Sequence, residues 1–262
     1  APESYFALTE QAMANQTAMI GKVQAAGNAA FEAAVALPDA KRGVAMGERP
    51  PAGGESHAAV TLSPDGSVLV HTSIFEPGTG TYTILRQIVA EELQIPLQSI
   101  RVQVWDTDGV PFDTGVGGSR VTRVAGQAAY QAAREASREM CITAAELLAW
   151  PEEALTLRGA DVIRQDTDDS HSWAALLQRR GEPVVGRGSV QDMHPSPVTS
   201  FTAQVAEVAV DPETGAIKLL RLATAHDVGT VINPLDHQGQ IDGAAMMAIG
   251  DERPTISHHL PN

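Results

Sequence analysis

A hairpin, a glycine-containing loop and a helix follow one another twice along this chain, at 57–94 and at 202–249, and this recurrence restricts the fold more than any other feature. It is a repeat of element order, not of residue identity. In the first copy, His57 to Ser63 and Ser67 to Ser73 read as strands joined by Pro64-Asp65-Gly66, which is hairpin-turn chemistry. Phe75-Glu76-Pro77-Gly78-Thr79-Gly80-Thr81-Tyr82-Thr83 follows, and then Ile84, Leu85, Ile88, Val89 and Leu93 mark one face of a helix stopped by Pro96. In the second copy, 202–210 and 216–222 pair through Asp211-Pro212-Glu213-Thr214-Gly215, and a loop from Ala225 to Pro234 leads into a helix reaching Ile249.

The remaining segments fill in around these copies. Residues 42–47 read as a short strand, and Ile100, Val102 and Val104 alternate with polar neighbours as a half-buried strand. A loop over 106–120 precedes an Ala-rich helix over 122–150, whose alanines at 125, 128, 129, 132, 133 and 136 form a close-packing stripe. A small hairpin centres on Arg158-Gly159-Ala160-Asp161, a short helix spans 173–180, and 181–200 reads as a loop. Residues 1–36 are loosely helical, and 251–262 are irregular. These elements predict an α+β fold with two subdomains of mixed or antiparallel sheets flanked by helices. The expected boundaries are a helical segment at 1–41, a first subdomain at 42–150, a connecting segment at 151–200 and a second subdomain at 201–262.

Composition narrows the function classes. Hydrophobic residues make up 43% of the 262, enough to build a packed core. A net charge of -14 argues against an extended nucleic-acid surface, which needs a basic stripe, but leaves room for a small anion held by backbone amides. The single Cys141 excludes an internal disulfide and reads as a small buried apolar residue. No apolar run is long enough to span a bilayer, and Ala1-Pro2-Glu3-Ser4 begins no signal-peptide pattern, so a cytoplasmic protein without membrane partners is expected.

The chemistry-bearing residues gather in the loops. Gly78 and Gly80 allow close backbone approach, Thr79, Thr81 and Thr83 supply hydroxyls, and a glycine-rich turn at a helix start presents N–H groups to an anion. Asp106, Asp108 and Asp113 read either as turn-capping carboxylates or as an oxygen-rich cation site lacking EF-hand spacing. His226-Asp227 reads either as a structural hydrogen bond or as a catalytic pair, and His258-His259 as a tail or an adventitious metal site. Ser119 lacks the setting of a nucleophilic serine.

Taken in order, Arg42-Gly43-Val44-Ala45-Met46-Gly47, Ser63-Pro64-Asp65-Gly66-Ser67-Val68, Gly78-Thr79-Gly80-Thr81, Asp106-Thr107-Asp108 and Gly117-Gly118-Ser119-Arg120 form a pattern. Ala206-Glu207-Val208, Asp211-Pro212-Glu213-Thr214-Gly215, Ala225-His226-Asp227-Val228-Gly229, Ile232-Asn233-Pro234 and Gly239-Gln240-Ile241-Asp242-Gly243 continue it. Over roughly 42–250 the chain resembles the molybdopterin-binding large subunit of the xanthine dehydrogenase and aldehyde oxidase family. The resemblance implies that family's molybdopterin-binding fold and a molybdenum held by pterin sulfurs, with no metal ligand from the protein. The pterin is commonly in a cytosine dinucleotide form. It implies that Gly78, Thr79, Gly80, Gly117, Gly118, Ser119, Arg120 and Gln240 contact the cofactor, with Thr79 standing where many members carry Gln.

The reaction so implied is hydroxylation of an aldehyde or N-heterocycle with oxygen from water. Electrons would leave through iron–sulfur clusters and FAD on partner subunits or domains. The family's general-base glutamate and its Gly-Gly-Phe-Gly-Gly loop have no match here, and Glu182 in Gly181-Glu182-Pro183 lies in the wrong place for the base. The second subdomain is therefore expected to be truncated, the rest of the molybdopterin-binding subunit to act as a partner, and the isolated chain to be inactive. The alternative is a non-catalytic structural or assembly module, or a degenerate paralogue of that family, that kept the fold and lacks the catalytic glutamate.

Overall fold

Residues 41–106, 108, 111–194, 196 and 198–257 are described by the computed structural model. The strands are β1 (Lys41–Arg49), β2 (Gly54–Leu62), β3 (Val68–Thr72), β4 (Ile100–Val104), β5 (Leu155–Arg158), β6 (Asp161–Arg164), β7 (Ser170–Ser172), β8 (Val184–Asp192), β9 (Ser200–Val210) and β10 (Ile217–Asp227). The helices are α1 (Thr81–Leu93), α2 (Gly126–Leu148), α3 (Trp173–Arg180) and α4 (Pro234–Ser257). They fall into two compact units. One takes the described parts of 1–51 and 196–230, and the other those of 52–195 and 231–262.

The larger unit is built on a mixed sheet of order β4-β3-β2-β8. Its strands alternate as period two requires: Val60, Leu62, Val68, Val70, Val184 and Val190 are buried, while Val185, Arg187, Ser189 and Gln191 on β8 face outward. Asp65 closes the β2–β3 turn by accepting hydrogen bonds from the Ser67 amide and hydroxyl, with Gly66 at φ 83°. β3, α1 and β4 form a parallel crossover, and α1 buries Leu85, Val89 and Leu93. Helix α1 ends on Gln94 in the left-handed conformation, two residues before Pro96.

Helix α2 lies across β2 and β8 with the alanine stripe inward: Ala128, Ala129, Ala132, Ala133 and Ala136 are all buried, as is Ala125 just before its first residue. Two glycines of β8 explain the small residues. A Cβ on Gly186 would sit 2.1 Å from the Ala136 nitrogen, and one on Gly188 would sit 2.0 Å from the Ala128 oxygen. Strand and helix backbones are in direct contact, which only glycine against alanine permits. β5, β6 and β7 form a small antiparallel sheet, tied to α3 by Trp173 Nε1 donating to the Gly159 carbonyl at 3.1 Å. Cys141 is buried, and burial pushes its thiol up.

The smaller unit is an antiparallel sheet of order β1-β9-β10. Arg42 stands opposite Glu207 and pairs with it at 3.6 Å, and Val44 stands opposite Val205. The β9–β10 turn is held by the Thr214 and Glu213 amides, which donate to Asp211 and keep its carboxyl below the usual range. Val44 and Met46 are 54% and 68% exposed, so two apolar side chains of β1 stand uncovered beside the exposed Lys41, Glu48 and Arg49.

The α+β class and both hairpin–loop–helix copies match the sequence expectation. Three details differ. Residues 184–192, read as part of a loop, are a full strand of the main sheet. Helix α4 continues through 251–257, read as irregular. The compact units also cut the chain differently from the sequence boundaries, because 41–49 pairs with 200–208 rather than with the rest of 42–150. The helix expected over 1–36 and the histidines His258 and His259 lie outside the described residues.

Candidate functional site

The two loops of interest in the larger unit start side by side. Ser73, just after β3, and Ser56, on β2, both donate through their hydroxyls to Asp113 Oδ2, at 2.6 and 2.7 Å. Asp113 Oδ1 accepts the Gly115 amide at 2.6 Å, so one carboxylate fastens the 113–120 loop to the sheet at the point where the 75–80 loop begins. Thr114 extends the attachment. Its amide donates to the Glu55 carbonyl at 2.9 Å, and its hydroxyl accepts the Glu55 amide at 2.8 Å.

Backbone conformation in 115–120 is unusual. Gly115, Gly117, Gly118 and Ser119 have φ of 75°, 146°, 60° and 59°. Ser119 is a non-glycine residue in the left-handed region, a strain that persists only where neighbours impose it. Here the Gly118 carbonyl accepts the Ala52 amide at 2.8 Å, and Arg120 Nε donates to the Gly117 carbonyl at 2.8 Å. The Arg120 side chain also lies over Gly54, where an added Cβ would come within 3.3 Å of Cδ. Arg120 thus braces its own loop. Directly after it, Val121–Ala125 forms a widened helical turn, closed by the Gly126 amide on the Val121 carbonyl, before α2 settles into regular geometry.

The 75–80 loop departs from the sequence reading in one respect. Its amides do not stand free. Gly78, Thr79 and Gly80 donate to Glu76 Oε1 at 2.8, 2.7 and 3.1 Å, and Tyr82 donates to Oε2 at 3.1 Å. The reason is local. Gly78 and Gly80, at φ 94° and 79°, curl the chain back over a carboxylate placed just before the helix. Thr79 is exposed, and its hydroxyl lies 3.2 Å from that of the buried Thr81.

Helix α4 brings in the third segment. A Cβ on Gly80 would fall 2.0 Å from Asp236 Oδ2, so the first turn of α4 packs on the loop. Asn233 caps α4 by accepting the Asp236 amide at 3.2 Å, and Gln87 Nε2 on α1 donates to the Ile232 carbonyl at 3.0 Å. Gln240 is exposed on α4, four residues after Asp236 and so on the same helical face.

All eight residues singled out in the sequence therefore belong to one compact unit, linked by the Ser73–Asp113 bond and the Gly80–Asp236 contact. The residues that set the geometry, Glu76, Asp113 and Asp236, were not among them. The available signal was an acidic residue two positions before the first glycine of a helix start. Asp106 accepts the Asp108 amide at 3.0 Å, a turn contact, and Asp227 likewise accepts the Gly229 amide at 3.1 Å. Among the described residues no group of three or more His, Cys, Asp or Glu is placed to hold a metal ion.

A layered α+β unit presenting glycine-rich loops beside helix starts defines a class of ligand-cradling domain. The family model described as "Molybdopterin cofactor-binding domain" matches residues 10–251, so the chain belongs to that family, the xanthine dehydrogenase and aldehyde oxidase type that the motifs resemble. The chain is 33% identical over 200 residues to the 6-hydroxypseudooxynicotine dehydrogenase complex subunit gamma of Paenarthrobacter nicotinovorans, covering 73% of this chain and 25% of that protein. It is 32% identical over 200 residues to the probable hypoxanthine oxidase XdhD of Escherichia coli (strain K12), covering 75% and 21%. Among solved structures, quinoline 2-oxidoreductase from Pseudomonas putida 86 superposes with a TM-score of 0.66 at 22% identity, covering 87% of this chain and 32% of that one. CO dehydrogenase from Oligotropha carboxidovorans gives 0.66 at 24%, covering 92% and 32%. The chain thus spans about a quarter of the length of the curated relatives it matches. The cofactor of this family is molybdopterin carrying molybdenum, and this chain is the cofactor-binding portion. Among the described residues no helix is long and apolar enough to cross a membrane.

Proposed function

We propose that this chain is the cofactor-holding part of a larger oxidoreductase that hydroxylates aldehydes or N-heterocycles using water. The observation that carries the reading is the union of three backbone segments in one unit, through Ser73 with Asp113 and through Gly80 with Asp236. The donor set suits the group. Exposed hydroxyls, a side-chain amide and glycine backbone recognise a ring with polar edges and phosphates, not a bare metal ion. When bound, molybdopterin brings molybdenum on its own sulfur atoms and supplies the redox chemistry.

The positions of this chain's residues support the following roles. Thr79 and Gln240 hydrogen-bond the cofactor. Gly78 and Gly117 let it approach the backbone, since no atom lies within 4 Å of where a Cβ would stand on either. Gly118 and Ser119 continue the same surface, and Gly80 keeps the turn seated against α4. Arg120 shapes the loop by holding the Gly117 carbonyl. We assign the cytosine dinucleotide form to the cofactor. Iron–sulfur and flavin subunits or domains would act as electron partners, and the remaining part of the molybdopterin-binding subunit would be the source of the general base. The chain alone is then inactive.

The test is the molybdenum and pterin content of the complex purified from a host that makes the cofactor. Thr79→Val and Gln240→Ala are expected to lower molybdenum per chain severalfold while leaving the melting temperature unchanged, because both side chains are exposed. Full loading of both variants would overturn the assignment of these residues.

A further inference from the structure

We infer that Glu76 is the resident anion of the Gly78–Tyr82 turn and the positioning residue that presents this turn to the cofactor through Thr79 rather than through its amides; the second half rests on the function proposed above. Four backbone N–H groups converge on this one carboxylate, three on Oε1 and one on Oε2. The helix start has no side-chain cap bond at Gly80, its N-cap residue, and donors of this kind ordinarily go to water or to an incoming anion. Here the chain supplies the anion itself.

A phosphate has no way to these amides without displacing Glu76, and it would approach against a second carboxylate. Asp236 packs on Gly80 from α4, its carboxylate filling the space where a Cβ would stand. What the turn turns outward is the exposed Thr79, with open space beside Gly78. The glycine-rich sequence therefore serves an internal carboxylate, and the shape so fixed is what the cofactor meets. Any phosphate of the bound group lies elsewhere.

Burial pushes the Glu76 carboxyl up, but donation from Tyr82, Gly78, Thr79 and Gly80 outweighs it and leaves the group below its ordinary value. A depressed carboxyl contributes stability above its ordinary value of 4.5, and that contribution is lost as pH falls through the depressed value.

The experiment follows the amide signals of Gly78, Thr79, Gly80 and Tyr82 by NMR in the isotope-labelled full chain. Inorganic phosphate or sodium formate is added at matched ionic strength. The wild-type signals are expected to stay in place with either anion. In Glu76→Ala they are expected to move, and the melting temperature to rise by several degrees with anion. If Glu76→Ala does not fold, acid titration of the wild type decides. The four signals should then shift together with a midpoint below 4.5, and Glu76→Gln should lack that step. Wild-type amides that respond to phosphate, a folded Glu76→Ala indifferent to both anions, or four amides without a shared titration would each overturn the proposal. None of these readouts needs the cofactor, so a chain that behaves as described yet never loads molybdopterin contradicts the proposed function and not the role of Glu76 as the resident anion.

Discussion

At Gly80 two separate demands fall on one residue. Its φ of 79° excludes most side chains, and the Asp236 carboxylate occupies the space a Cβ would need. Gly78 carries the first demand without the second, since its φ is 94° and nothing lies within 4 Å. Gly78→Ala is therefore expected to cost about 1–2 kcal/mol, the penalty of a left-handed alanine. Gly80→Ala is expected to cost about 1 kcal/mol more, because the Asp236 carboxylate must swing away from the new methyl and give up the bond it accepts from Asn233. Urea denaturation of the two variants measures the difference, and equal costs would mean that Asp236 does not bear on Gly80. At this scale the sequence was legible where a residue's own backbone preference decides, as in the Pro64-Asp65-Gly66 turn. It was not legible where a side chain chooses a partner. Glu76 curling onto its own loop and Asp113 reaching serines on two different segments depend on how the chain is already folded.

Strand β8 and helix α2 show the same division among elements. The alanine stripe of α2 was readable from helical spacing alone, and all six positions are buried. The strand it packs on was not, because Gly181, Gly186 and Gly188 gave 181–200 the composition of a loop. Yet Val184, Gly186, Gly188 and Val190 are buried in strict alternation, and the two glycines are small because α2 lies against them. In this strand glycine signals close backbone approach, not a turn. Gly188→Ala places a methyl 2.0 Å from the Ala128 carbonyl oxygen, with no flexible side chain to yield. The expected loss is at the upper end of the ~1–3 kcal/mol typical of overpacking, or beyond it. Thermal unfolding measures it, and a loss under about 0.5 kcal/mol, the range of neutral surface changes, would contradict the packing. The start of α2 also escaped the sequence reading, since the widened turn at Val121–Ala125 moves regular helix to Gly126. Such turns depend on neighbouring contacts rather than on propensity.

For the molecule as a whole, the element order was legible and the partition into units was not. Pairing 41–49 with 200–208 joins segments more than 150 residues apart, and strand register of that range is set by packing rather than by local composition. The family assignment rested on short motifs whose order, taken together, was informative, and the match over residues 10–251 agrees with it. The loops at 75–80 and 113–120 and the α4 face bearing Gln240 lie in the larger unit, which has its own buried core. The most direct measurement is therefore the amount of molybdenum and of cytidine monophosphate released on acid hydrolysis, per chain. It is made on the complex of this chain with the partner subunits proposed for it, purified from a cofactor-making host. The account predicts about one of each per chain, as a single dinucleotide cofactor requires. A folded, assembled complex containing neither would contradict it.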